Sequence, residues 1–219
     1  MLHDQSLVTK LVWASLLVVA VGALIELRFS LAFVASATLV LSLAPALVAG
    51  WADIRVPPSF MLAVVLFVGA TLFLGEVFDF YERFWWWDIL LHGGSAVGFG
   101  LIGFILVFMM FQGDRFAAPA GAIAFFAFCF AIAIGASWEV FEFAMDQLFG
   151  FNMQKSGLMD TMGDLIVDMV GAVLGAGAGW LYLKGREHAG LPRLIGDFVE
   201  RNPRFFRRLR KQARRHGED

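Results

Sequence analysis

Long apolar runs alternate with short polar breaks along most of the chain. Six runs cover residues 11–25, 31–50, 60–75, 89–111, 119–143 and 165–183. A helix rises about 1.5 Å per residue, so about 20 residues cross a hydrocarbon core of about 30 Å. Each run therefore predicts a transmembrane helix, the short first and third runs borrowing flanking residues. The breaks at 26–30, 51–59, 76–88, 112–118 and 150–163 leave no room for a soluble domain, and Pro57 and Pro58 punctuate the second. The expected fold class is all-α: a polytopic membrane helical bundle of about six transmembrane helices. The first run follows Lys10 as a signal peptide's apolar region would. No small-residue cleavage site precedes Glu26 and Arg28, so it reads as a span.

Beyond residue 183 the period changes. Leu191, Leu194, Ile195, Phe198 and Val199 fall at i, i+3, i+4, i+7 and i+8, one helical face. After Pro203, Phe205, Phe206 and Leu209 alternate with Arg204, Arg207, Arg208, Arg210 and Lys211. Residues 1–183 are thus expected to form a six-helix transmembrane domain and residues 184–219 a basic, amphipathic interfacial tail. A basic segment joined directly to a span predicts contact with anionic lipid in preference to nucleic acid. A solvated, disordered tail is the alternative. Within the spans, Gly171, Gly175 and Gly179, and Gly94 with Gly98, form small-residue ridges suited to close helix packing.

Composition agrees with a membrane protein. The chain is 59% hydrophobic and 16% charged, against about 25% charged in soluble domains. A formal net charge of −2 conceals an asymmetry: 11 of the 17 Lys and Arg lie from Lys184 to Arg215. Basic residues near span ends favour the cytoplasm, so six spans place both termini there. Each of the five breaks carries one basic residue and adds nothing to the orientation. The first, third and fifth breaks then face outward. Cys129 is the single cysteine. It excludes an intrachain disulfide and a thiolate metal cage, and it reads as a small buried hydrophobe.

The acidic residues carry the candidate chemistry. Ten of the 19 flank two breaks that this topology places on the outer side: Glu76, Asp79, Glu82 and Asp88, then Glu139, Glu142, Asp146, Asp160, Asp164 and Asp168. Arg83, Lys155 and His92 are the nearby basic groups. Ionisable residues at the ends of spans are costly and mark functional sites. Spacings of three and four put Glu76 with Asp79, Asp88 with His92 and Ser95, Glu139 with Glu142 and Asp146, and Asp160 with Asp164 and Asp168 on four polar helix stripes. These stripes can converge in one cavity below the Trp85-Trp86-Trp87 aromatic belt. Carboxylates so close together cannot all stay ionised without a cation, which leaves bound metal or shared protons. Oxygen ligands with one nitrogen suit a divalent metal: Mg, Mn, Fe or Ca, with Zn tolerated. The candidate ligands are Glu76, Asp79, Glu139, Glu142, Asp146, Asp160, Asp164, Asp168 and His92. His92 with Asp88 is also the candidate catalytic pair. Asp88 and Asp160 begin helices, where a carboxylate serves equally as a cap. Glu82 reads as a solvated loop acid.

Three ordered elements carry a resemblance: Asp88-x-x-x-His92; Trp138-Glu139-Val140-Phe141-Glu142; and Asp160-Thr161-Met162-Gly163-Asp164 followed by Gly171-Ala172. Together they resemble a family of bacterial inner-membrane proteins that includes YjdF, mainly over residues 76–175. The resemblance implies the helical membrane fold, the inner membrane and this motif set, and it implies no activity. The chain departs from the family pattern in the length between Gln154 and Asp160, and at Asp168, where a small residue is expected. Asp160-x-x-x-Asp164-x-x-x-Asp168 is also similar to the end of the signature of phospholipid-synthesising phosphotransferases. The elements that should precede it are absent. The leading expectation is a metal-dependent hydrolase or transferase acting at the outer face on a lipid headgroup or small substrate. The alternatives are a cation- or proton-coupled transporter, and a non-enzymatic metal- or ligand-binding membrane protein.

Overall fold

The computed structural model describes residues 5–114, 117–186 and 189–207. Among them every regular element is helical: α1 (Leu7–Ile25), α2 (Phe29–Trp51), α3 (Pro58–Val68) running into a π-helical segment (Gly69–Val77), short α4 (Phe80–Arg83), α5 (Trp87–Met110), α6 (Ala120–Phe149), α7 (Leu158–Leu183) and α8 (Gly190–Arg201). Six of these helices, counting α3 and the π segment together, are long and apolar enough to cross a membrane. Local chemistry sets their ends. The Ser6 hydroxyl accepts from the Thr9 amide at 3.1 Å and caps α1. Pro58 opens α3 at a first-turn position, where its missing N–H costs nothing. Gly150, at φ 69°, ends α6 in the left-handed conformation.

The spans exceed the apolar runs at several ends. α6 continues to Phe149 and α7 begins at Leu158, six and seven residues beyond the run limits of 143 and 165. Acids spaced by three and four lie on one face, so they do not interrupt a helix whose remaining faces are apolar. The third span also departs from uniform α winding over Gly69–Val77.

The chain forms two compact units, Met1–Trp87 and Asp88–Asp219. In the first, Ala46, Met61 and Val65 form a core packed by Val12, Trp13 and Val56. The indole of Trp13 donates to the buried Ser42 hydroxyl at 3.1 Å. Trp85 is exposed while Trp87 is buried, its ring 4.9 Å from Phe80.

In the second unit α5 and α7 run parallel in close contact, with α6 antiparallel to both. A Cβ at Gly171 would meet the Gly93 carbonyl and the Ala96 methyl, and one at Gly175 would strike the Val97 carbonyl. A Cβ at Gly100 would lie 2.9 Å from the Gly175 Cα, and one at Gly179 would enter the Phe104 ring. The ridge on α7 thus packs as expected, but its partner on α5 is Gly93, Val97 and Gly100. Gly94 and Gly98 have open space around them; they lie a residue or two off the contacting face. Cys129 is exposed on α6, which corrects the buried expectation. A weakly polar thiol on the outer face of an apolar span costs nothing in hydrocarbon.

α8 confirms the amphipathic helix but reassigns its apolar face. Ile195, Phe198 and Val199 are buried within the unit, and Phe206 is fully buried. The Phe206 ring lies 5.5 Å from Phe108 and 6.2 Å from Phe198. The face expected to enter lipid is therefore spent on protein packing. Arg208, Leu209, Arg210 and Lys211 lie outside the described residues.

Gly175→Val is expected to destabilise the second unit by about 1–3 kcal/mol through overpacking, while Gly94→Val should stay within about 0.5 kcal/mol. Thermal unfolding of the two variants in detergent checks this; equal effects would refute the packing face.

Candidate functional site

The N-terminal ends of α5 and α7 and the C-terminal end of α6 meet at one end of the second unit. Three of the four predicted stripes come together there. On α5, Asp88 sits in the first turn and His92 one turn deeper. On α6, Glu139 points inward. On α7, Asp164 and Asp168 follow at one-turn intervals. Burial deepens along the stripes: His92 is 8% exposed, Glu139 and Asp164 5%, and Asp168 1%. Asp168 lies ten residues into α7, about 15 Å along its axis at 1.5 Å per residue.

His92 is the centre of the group. Its Nε2 lies 3.9 Å from Asp88 Oδ1 and 3.9 Å from Glu139 Oε1, and its Nδ1 lies 3.4 Å from Asp168 Oδ1. Ligand atoms of Asp88, His92 and Asp164 all fall within 4.8 Å of one another. None of the four carboxylate oxygens of Glu139 and Asp168 has a hydrogen-bond partner, and all four are buried. One imidazole cannot balance so many carboxylates, and burying an excess of charge is costly in folding. These orphaned oxygens fit a cation: hard oxygen donors and one imidazole suit a divalent ion.

The other predicted acids divide by use. Glu142 accepts from the Trp138 indole at 2.9 Å and interacts electrostatically with Glu139, His92 and Asp88. Asp160 interacts in the same way with Asp88, Glu139 and Asp164, but one of its oxygens accepts from the Lys155 amide at 3.1 Å. Asp146 gives both oxygens to the loop, accepting from the Met153 amide at 2.8 Å and the Gln154 amide at 2.9 Å. Gln154 donates to the Thr161 hydroxyl at 2.6 Å. Asp146 and Asp160 therefore fold the α6–α7 connection. Ser95 donates to its own helix at the His92 carbonyl. Glu76 and Asp79 belong to the first unit. Asp79 lies 4.0 Å from Arg83 with both side chains exposed. Glu76 lines a cavity of about 560 Å³ with Arg28, Phe29, Ser30 and Val34.

Gly135 belongs to the site although it lies outside the three sequence motifs. Any Cβ there would collide with the Asp168 carboxylate. Its one available signal was spacing: it stands four residues before Glu139, on the same face of α6.

Six apolar helices and a buried acidic cluster define an integral, multi-pass membrane protein. The chain belongs to the family described as "Predicted membrane protein (DUF2238)", which matches residues 8–185. A Thermotoga maritima protein described as "Uncharacterized protein" is 33% identical over 99 residues. That match covers 45% of this chain and 50% of the relative, so the aligned stretch spans half of the relative's length. No solved structure matches.

With chelator present, Glu139→Gln should raise the melting temperature, because a neutral amide relieves the excess of buried carboxylates around one imidazole. Each 1 kcal/mol gained corresponds to about 2–4 °C for a chain of this size. Differential scanning fluorimetry in EDTA reads the sign, and a fall would show that the carboxylate is already satisfied.

Proposed function

We propose that the second unit holds a divalent cation at Asp88, His92, Glu139 and Asp164, and that the protein uses it as a metal-dependent hydrolase or transferase. The observation carrying this reading is the compact Asp88, His92 and Asp164 group, whose ligand atoms lie within 4.8 Å of one another, with the buried Glu139 3.9 Å from the same imidazole. Glu142, half-buried at the rim, completes the ligand set in reach of Glu139. A divalent ion held there supplies Lewis acidity toward a carbonyl or phosphoryl oxygen. Asp88, in the first turn of α5, would hold the ion at the mouth of the site. His92 serves as ligand or general base.

The substrate class follows from access. The mouth lies at the ends of spans, where a lipid headgroup or a small phosphorylated or ester substrate arrives. The basic residues of 184–219 favour a cytoplasmic tail in a bacterial inner membrane, with both termini inside and this site outside. The tail's basic groups then face the anionic lipid of the inner leaflet. A transport reading finds less support. Phe104 and Phe108 are fully buried and pack with Tyr182 at the opposite end of α5 and α7, so the polar stripe ends against an aromatic layer.

Metal analysis of the purified chain tests the site. The expected result is one divalent ion, lost in Asp88→Ala and in Asp164→Ala. Saturation should stabilise the wild type by about 2.7 kcal/mol at 100 times Kd. An ion-free protein under every supply of Mg, Mn, Ca, Fe and Zn would refute the reading.

Orientation is tested separately. In a Cys129→Ser background, single cysteines at positions 80–84 and 152–157 should react with an impermeant reagent added outside intact cells. Reaction only after the inner face is exposed would reverse the topology.

A further inference from the structure

The metal reading leaves the deepest acid, Asp168, without a defined part. We infer that Asp168 is not a ligand but the positioning carboxylate of His92: it holds the proton on Nδ1, so that Nε2 faces the cation. This rests on the proposed metal site and assigns one residue within it.

The two edges of the imidazole face different acids. Nδ1 lies 3.4 Å from Asp168, while Nε2 stands 3.9 Å from both Asp88 and Glu139. A neutral imidazole can offer a lone pair from one nitrogen only while the other keeps its hydrogen, and the partner of that hydrogen decides which nitrogen is free. Metal-bound histidines commonly give this second N–H to a carboxylate, whose removal costs 10–100-fold in affinity. Asp168 is on the Nδ1 side, away from the edge that Asp88 and Glu139 share.

Depth agrees with this assignment. Asp164 joins Asp88 and His92 in the compact group, whereas Asp168 lies one turn further into α7 and is 1% exposed. Its carboxylate occupies the notch left by Gly135, where any side chain would displace it. Neither of its oxygens accepts a hydrogen bond from another group, and the His92 Nδ1 lies 3.4 Å away. A cation reached from the Asp88 mouth meets Nε2 before it meets Asp168.

The test uses the full-length chain in detergent, stripped with chelator. Mn²⁺ titration gives stoichiometry and affinity. Cu²⁺ loading gives pulsed EPR spectra, in which the uncoordinated nitrogen of a bound imidazole reports its own hydrogen bond. The wild type should bind one ion and show an imidazole signal that His92→Gln removes. Asp168→Ala should still bind one ion, 10–100-fold more weakly, with the remote-nitrogen signal shifted. Asp168→Asn keeps the shape and an acceptor oxygen; it should recover part of the affinity and rule out a folding defect. Three results would overturn the assignment: loss of binding in Asp168→Ala as complete as in Asp164→Ala, a fall from two ions to one, or an unmoved nitrogen signal. A wild type that binds no ion would instead remove the metal site itself.

Discussion

The second unit is organised around a cost. Glu139 and Asp168 place four carboxylate oxygens in its interior with no hydrogen bond to any of them, and one imidazole stands between the two. The helix backbones around them are already bonded to themselves and offer these oxygens no donor. A pair of charges in such a medium is tolerated only when geometry is fixed and a counter-charge is present. His92 supplies at most one positive charge. The surplus of Asp88, Glu139, Asp164 and Asp168 over that single charge is the constraint to which the packing answers.

Two kinds of glycine meet it. On α7, Gly171, Gly175 and Gly179 bring the backbone against α5, which fixes the height of Asp164 and Asp168 relative to His92. On α6, Gly135 removes a side chain where the Asp168 carboxylate lies. The first kind sets how close the helices come; the second makes space for a charged group between them. Asp146 and Asp160 complete the frame from the rim by tying the loop at Met153, Gln154 and Lys155. Acids of one type thus do two jobs, and burial separates them. Asp146 and Asp160 at the rim accept from backbone amides, whereas Glu139 and Asp168 below have no hydrogen bond and face a single imidazole.

Much of this was legible beforehand. The apolar runs identify the six spans, because a length near 20 residues is a strong signal against so few charges. The 3 and 4 spacings put Asp88 with His92 and Asp164 with Asp168 on shared faces, a consequence of helix geometry that needs no tertiary information. What spacing does not encode is what a carboxylate touches. Asp146 and Asp164 look alike in sequence, yet one caps a loop and the other is buried beside His92. The apolar runs stop at 143 and 165, short of the helix ends at Phe149 and Leu158, because a count of apolar residues treats one polar face as a boundary. The amphipathic face of α8 was correctly seen, but amphipathicity does not distinguish lipid from protein as the covering phase, and Phe108, Phe198 and Phe206 supply the protein. Gly94 and Gly98 have the four-residue spacing of a packing ridge, yet Gly93 and Gly100, seven apart, make the contact, and only the crossing of α5 with α7 selects them.

Access to the buried group runs one way. Along α5 and α7 the polar side chains become less exposed from Asp88 and Asp160 to His92 and Asp164, and then to Asp168. Beyond Asp168 the faces in contact carry Gly171, Ala172, Gly175 and Ala176, and the interior offers no further ionisable group before the rings of Phe104, Phe108 and Tyr182. An ion carried across would have to shed every oxygen ligand at that layer, a step of several kcal/mol even on the lenient scales of membrane insertion. An ion that enters and stays meets no such barrier. The arrangement of charge therefore fits retention of the proposed cation at a dead-ended site better than its passage, in keeping with the proposed chemistry on a headgroup or small substrate.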